Sequence, residues 1–287
     1  MTAAILALYR IRTVLFFGGV LVLVAIGLGA RLIEGDAVRM VITVLAVIAL
    51  ASLVLAGLLF AFGARALPQR ATLVVTAPVI GRWVGVNSPA TKVPSHGIRA
   101  YGQAYAIDLV HEPIDGGRPV FGDGPAMRRP DEYPAFGQPV LAMTDGIVVA
   151  ASDWRRDHRA RSTMAAVVYM MVEGAIRELG GPGFIIGAHV TIRRDDGVFA
   201  TVAHLQRGSI TVQVGDRVRA GDVIARCGNS GNTSEPHVHA QLMDRRSPLT
   251  AQGIPMAFAG ILLGEGTDPT DGLPADGEHL DTRPASS

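Results

Sequence analysis

The sequence predicts a mostly β domain behind a pair of apolar helices. Three observations lead there. Two uncharged runs, residues 13–30 and 40–64, stand between arginines near the N-terminus. Beyond Ala66, short runs of Val, Ile, Leu and Ala alternate with Gly and Pro, the pattern of strands and turns. Asp145-Gly146 and Asp196-Gly197 each sit between apolar runs, a strong hairpin signal.

The apolar runs come first. A hydrocarbon core needs about 20 helical residues, and both runs are near that length. They predict a membrane hairpin within residues 1–66, with spans at about 13–30 and 40–64 and both termini on one side. Arg10 and Arg12, Arg31 and Arg39, and Arg65 and Arg70 flank the spans evenly, so the positive-inside rule gives no orientation. A cleaved leader fits poorly, because a second span follows at once.

Residues 67–90 read as a linker into the leading strands, and 91–263 as the main domain. Within it, "YAIDLVH" (105–111) alternates like a strand. Residues 138–153 and 187–206 each read as a hairpin, 210–229 as strands joined by tight corners, and "HVHAQLMD" as the closing strand. Two insertions interrupt this order: a Gly, Pro and charge-rich loop at about 112–136, and 154–183, which carries the helix-like "MAAVVYMMVEGAIREL", expected to pack on the barrel, with contact to the bilayer or a partner as the alternative. After 264, Asp, Pro, Gly and Ser predict a disordered tail. The expected fold is a β-sandwich or partial barrel with an inserted helix.

Composition excludes some functions. A net charge of +1 argues against a nucleic-acid stripe. Cys227 is the single cysteine, so no intrachain disulfide forms. A biotinyl- or lipoyl-type carrier, suggested by "VGDRVRAGDVIARCG", needs a lysine at a hairpin tip. Lys92, the single lysine, is far from one.

The chemistry lies in the histidines. Residues i and i+2 of a strand share a face, so His237 and His239 point the same way. His204 ends another strand, in "VAHLQ". Asp108 interrupts an apolar strand, where a carboxylate is costly unless paired or bound to a cation. Zinc takes imidazole nitrogen and carboxylate oxygen, and a catalytic site keeps one position open. Asp108 and one of the paired histidines supply two ligands, so a third is needed.

The stretches "GQPVLAMTDGIVVAA", "GAHVTI", "VAHLQ", "YAIDL" and "VQVGDRVRAGDVIARCGNSGNTSEPHVHAQL" together resemble the lysostaphin-type (LytM) zinc metallopeptidases, which cut peptidoglycan cross-bridges. The resemblance spans roughly half the chain. It implies the duplicated hybrid-motif β-sandwich of that family, a Zn2+ ion held in part by Asp108 and His239, and His204 and His237 flanking the metal's water as base and oxyanion stabiliser. The family's remaining ligand, a histidine four residues before the aspartate, is Ala104 here. His96, twelve residues before Asp108, is the expected replacement, with His111 and His189 as competitors. The implied function is a membrane-anchored zinc endopeptidase acting on peptidoglycan peptides. Its partners are the wall peptide and the bilayer, and its catalytic domain faces out of the bacterial cytoplasm. The alternative that Ala104 raises is a degenerate domain that binds peptidoglycan or regulates another hydrolase.

Overall fold

A computed structural model describes residues 2–29 and 35–282. The chain divides into two compact units, Met1–Gln69 and Arg70–Ser287.

The first unit is helical: α1 (Thr2–Arg10), α2 (Arg12–Gly29) and α3 (Asp36–Phe62). The latter two are long and apolar enough to cross a membrane. The expected spans lie along them, except that Ala30 lies outside the described residues and the second span ends in the 3-10 turn Gly63–Ala66 that follows α3. The two helices pack closely where Gly19 meets α3. A Cβ there would stand 3.0 Å from the Ala49 carbonyl and from Leu53, the small-residue contact that apolar helices use where water drives nothing together.

The second unit is mostly β. Its strands are β1 (Leu73–Val75), β2 (Gly81–Val86), β3 (Ile107–His111), β4 (Pro139–Leu141), β5 (Gly146–Ser152), β6 (His189–Arg193), β7 (Phe199–Ala203), β8 (Arg217–Val218), β9 (Val223–Arg226), β10 (Val238–Met243), β11 (Gly253–Ile254), β12 (Met256–Leu263), β13 (Thr270–Gly272) and β14 (His279–Thr282). Helices α4 (Met164–Leu179) and α5 (Pro182–Ile186) interrupt them between β5 and β6. The large sheet runs β1-β12-β14-β2-β3-β10-β7-β6-β5-β8, with β11 on β10 and β13 on β12. β4 and β9 form a small second sheet. The path is open and no barrel closes.

Strand alternation separates core from site. Ile107 and Leu109 of β3, with Val238, Ala240 and Leu242 of β10, enter one apolar core. The opposite face carries Asp108, His239 and Gln241. The register pairs His239 with Asp108 on one side and with Ala203 on the other, which puts this face at the middle of the sheet.

The hairpin expected over 187–206 forms as β6 and β7, turning at Asp196-Gly197. The one expected over 138–153 does not. β4 pairs with β9, and β5 pairs with β6 and β8. Asp145 explains the difference: its carboxylate accepts the Ala220 N–H at 2.8 Å, which ties the turn to the neighbouring corner. The expected disordered tail is also corrected, over residues 270–282. Leu280 is fully buried and pairs with the equally buried Trp83, so β14 fills core between β12 and β2. Residues 283–287 lie outside the described residues.

Leu280→Ala should therefore cost the 70–287 unit about 2–5 kcal/mol in urea unfolding, the usual range for a buried leucine. A disordered tail would give no change.

Candidate metal centre

Asp108 is 6% exposed and sits at the centre of the cluster. His239 Nδ1 lies 2.8 Å from its Oδ1, and His96 Nε2 3.1 Å from its Oδ2. His237 Nε2 is 3.5 Å from Oδ1. Asn87 Nδ2 donates to Oδ2 at 2.8 Å. Donor atoms of His96, Asp108 and His239 all fall within 4.8 Å of one another, a group able to hold a metal ion.

Local chain geometry delivers these groups. His239 and Asp108 face each other as a cross-strand pair. His96 arrives from a loop that folds back on the position lacking a donor: Ser95 N–H bonds the Ala104 carbonyl at 3.0 Å. The ring of His96 then stands edge-on to His239, 5.0 Å between centroids. His204 follows Ala203, which faces His239, and an extended residue there would point to the other side of the sheet. Its φ of 60° breaks the alternation, and its ring stacks 4.7 Å from His237.

Asn87, Tyr101 and His204 are the non-glycine residues with positive φ among those described, and all three serve this site. Such conformations cost roughly 1–3 kcal/mol each and persist where the surroundings over-determine them.

The outer hydrogen bonds orient each ring. Gln241 Nε2 donates to the Tyr101 carbonyl at 3.1 Å, so Gln241 Oε1 accepts from His239 Nε2 at 3.0 Å. Nδ1 of His239 is left to face Asp108 Oδ1. Ser95 Oγ donates to the Gln103 carbonyl and accepts from His96 Nδ1 at 3.0 Å, which leaves His96 Nε2 to face Oδ2. His204 Nδ1 donates to the Ser230 carbonyl and His237 Nδ1 to the Glu235 carbonyl, each at 2.8 Å. Two imidazole nitrogens and a carboxylate therefore converge, a donor set that can take a cation once the nitrogens give up their protons. The outer partners do what metal-site supports do: they set the tautomer and hold the ring.

Charge follows the same layout. Burial opposes ionisation of Asp108, yet His96, His237 and His239 outweigh it and hold the carboxyl well below its usual range. Burial, then His237 and His239, keep His204 far below an ordinary imidazole. Burial also opposes a charge on His237, but Asp108 raises its pKa.

The five residues singled out in the sequence, His96, Asp108, His204, His237 and His239, thus meet at one place. The two competitors do not join them. His111 stacks on Trp83 and bonds the Pro134 carbonyl. His189 turns Nδ1 to the Gly187 carbonyl. Sequence reasoning missed Asn87, Ser95, Tyr101 and Gln241. Gln241 carried a readable signal, since it continues the i, i+2 series of His237 and His239. It also missed the place of α4, expected to pack on the sheets. Met170, Gly174 and Glu178 of that helix wall a groove of about 490 Å³ that contains all five residues. Tyr101 Oη donates to Glu178 at 2.8 Å.

Residues 132–251 match Peptidase family M23. The chain carries an M23 peptidase domain. Over 88 residues it is 38% identical to the glycyl-glycine endopeptidase ALE-1 of Staphylococcus capitis, a match covering 30% of this chain and 24% of that protein. The catalytic domain of lysostaphin from Staphylococcus simulans aligns at 20% identity over 61% of this chain and 88% of its own, with a TM-score of 0.33. The catalytic domain of the prophage-encoded M23 protein EnpA from Enterococcus faecalis aligns at 22% identity, over 62% and 93%, with a TM-score of 0.34. Likeness at that level adds nothing to the site. The family match begins after His96 and Asp108, so the folded chain, and not the matched segment, unites the donors.

Gln241→Leu should keep the fold and weaken metal binding about 10–100-fold, the usual cost of losing an outer partner. Competition with a chromophoric chelator measures it.

Proposed function

We propose that the domain is a zinc-dependent endopeptidase acting on peptidoglycan peptides, held by α2 and α3 at the outer face of a bacterial membrane. The convergence of the His96 and His239 nitrogens on Asp108 carries this reading. Imidazole nitrogen with carboxylate oxygen is a zinc donor set, and three protein ligands leave a position for substrate chemistry. His96, in reach of the same carboxylate, supports the catalytic reading over the degenerate one that Ala104 raises.

His96, Asp108 and His239 would hold the ion. Zinc, when bound, supplies Lewis acidity that makes water acidic near neutral pH and polarises a carbonyl. His204 and His237 stand to one side, their Nδ1 protons bound to backbone carbonyls. Their Nε2 atoms are the ones left to exchange a proton, that of His237 lying 3.5 Å from Asp108 Oδ1. One accepts the proton of the attacking water, and the other donates a hydrogen bond to the oxyanion. Asn87 steadies the Asp108 carboxylate while this happens. The substrate peptide lies in the groove beneath α4. Its wall origin is drawn from the M23 relationship and from ALE-1, a glycyl-glycine endopeptidase.

Two classes of variant separate the roles. His96→Ala, Asp108→Ala and His239→Ala should lose zinc by elemental analysis, and with it release of peptide from purified peptidoglycan. His204→Ala and His237→Ala should retain zinc while kcat falls about 10²–10⁴-fold, the usual worth of a proton-transfer group. A zinc-loaded parent that releases nothing from any peptidoglycan would refute the catalytic reading.

Zinc binding should also weaken on acidification, because bound imidazoles must be deprotonated. Equilibrium dialysis between pH 5 and 8 measures it.

A further inference from the structure

Helix α4 is amphipathic the wrong way round for a water-soluble surface. Its start is sealed by Thr163, whose Oγ1 accepts the Ala166 N–H, and Gly180 closes its end. Its charged residues turn inward. Glu173 pairs with Arg161 and Arg177, Arg177 also bonds Asn232, and Glu178 accepts from Tyr101. The outward face is apolar along its length. Met164, Val168, Val172, Ile176 and Leu179 recur at helical spacing, Met164, Ile176 and Leu179 are each 64–78% exposed, and Met171 joins the stripe to the rim of the groove. Contiguous apolar patches of this kind mark docking surfaces.

A basic pocket adjoins the stripe. Arg155, Arg156 and Arg207 line a cavity of about 470 Å³ together with Trp154 and Phe184, and it includes Glu173 and Arg177 of α4. Glu173 borders Tyr169 and Ile176 on the helix surface, at i−4 and i+3. Its carboxylate is already taken by two arginines. The Arg155 guanidinium lies 3.7 Å from the Trp154 ring centre and 3.2 Å from that of Phe184. Its Nε and Nη2 are shielded and make no hydrogen bond. Trp154 itself is exposed.

We propose that the outward face of α4, with the arginine pocket beside it, docks on the anionic surface of a lipid bilayer. Apolar side chains flanked by arginine and tryptophan are the chemistry of a helix lying in the headgroup region. Residues 67–72, about 20 Å at full extension, tether the unit that carries α4 to the helical unit. The inference rests on α2 and α3 being a membrane anchor. It adds that the wall of the catalytic groove is itself a lipid-contacting element.

The test uses the full chain in vesicles, spin-labelled at one introduced cysteine. Cys227 is fully buried and does not compete for label. The labelled variants are Val172→Cys on α4, Val214→Cys on an exposed loop and Val47→Cys on α3. Collision with oxygen reports lipid, and collision with a water-soluble nickel chelate reports water. In vesicles containing phosphatidylglycerol, positions 172 and 47 should report lipid and position 214 water. Arg155→Ala with Arg156→Ala, or pure phosphatidylcholine, should shift position 172 toward water. Water at 172 with lipid at 47 would overturn the docking and leave the anchor. Water at both would overturn both. Shielding of 172 from both reagents would overturn it in favour of a protein partner or a second copy. Lipid exposure at 172 unchanged by charge would overturn the role of the arginines.

Discussion

A charged carboxylate in the middle of a sheet is the constraint on which this domain turns. Asp108 belongs to β3, between β2 and β10, where water does not reach it freely. An ion there is tolerated only with partners. They come from separated parts of the chain: Asn87 just after β2, His96 from the following loop, and His237 and His239 at β10. Each must also face its nitrogen correctly, which takes an outer layer of acceptors. Gln241, Ser95, Ser230 and Glu235 provide it. Much of this unit's unusual backbone follows from that demand.

The sequence was most legible where a single strand carries the information. Two histidines at i, i+2 and a lone aspartate in an apolar run are local patterns, and the sheet preserves them. Asp196-Gly197 was legible for the same reason, since both flanking strands pair with each other. Long-range choices were not. Asp145-Gly146 has the same appearance, but its flanking strands find better partners in β9 and β6, and only the folded chain shows which. β14 is short and set among Pro, Gly and Asp. Its place rests on one leucine, Leu280, against one tryptophan, Trp83. His204 could be named from the motif, but its left-handed backbone could not be read from letters.

Helix α4 shows a different limit. Its sequence announces an amphipathic helix but not which side meets the protein. The usual assumption buries the apolar face. Here Glu173, Arg177 and Glu178 find partners on the domain, and that polar complementarity sets the orientation. The segment is an insertion in the chain order, yet its inner face completes the groove in which the histidines lie.

Tyr101 ties these two parts together through a single residue. Its backbone carbonyl anchors Gln241, which fixes the ring of His239, while its hydroxyl holds Glu178 on α4. Its left-handed backbone, backed by Gly102 tight against Met243, allows little independent play between the two ends. The roof and the floor of the groove therefore share one rivet. A substitution that displaces Tyr101 removes support from α4 and from the His239 ring at once.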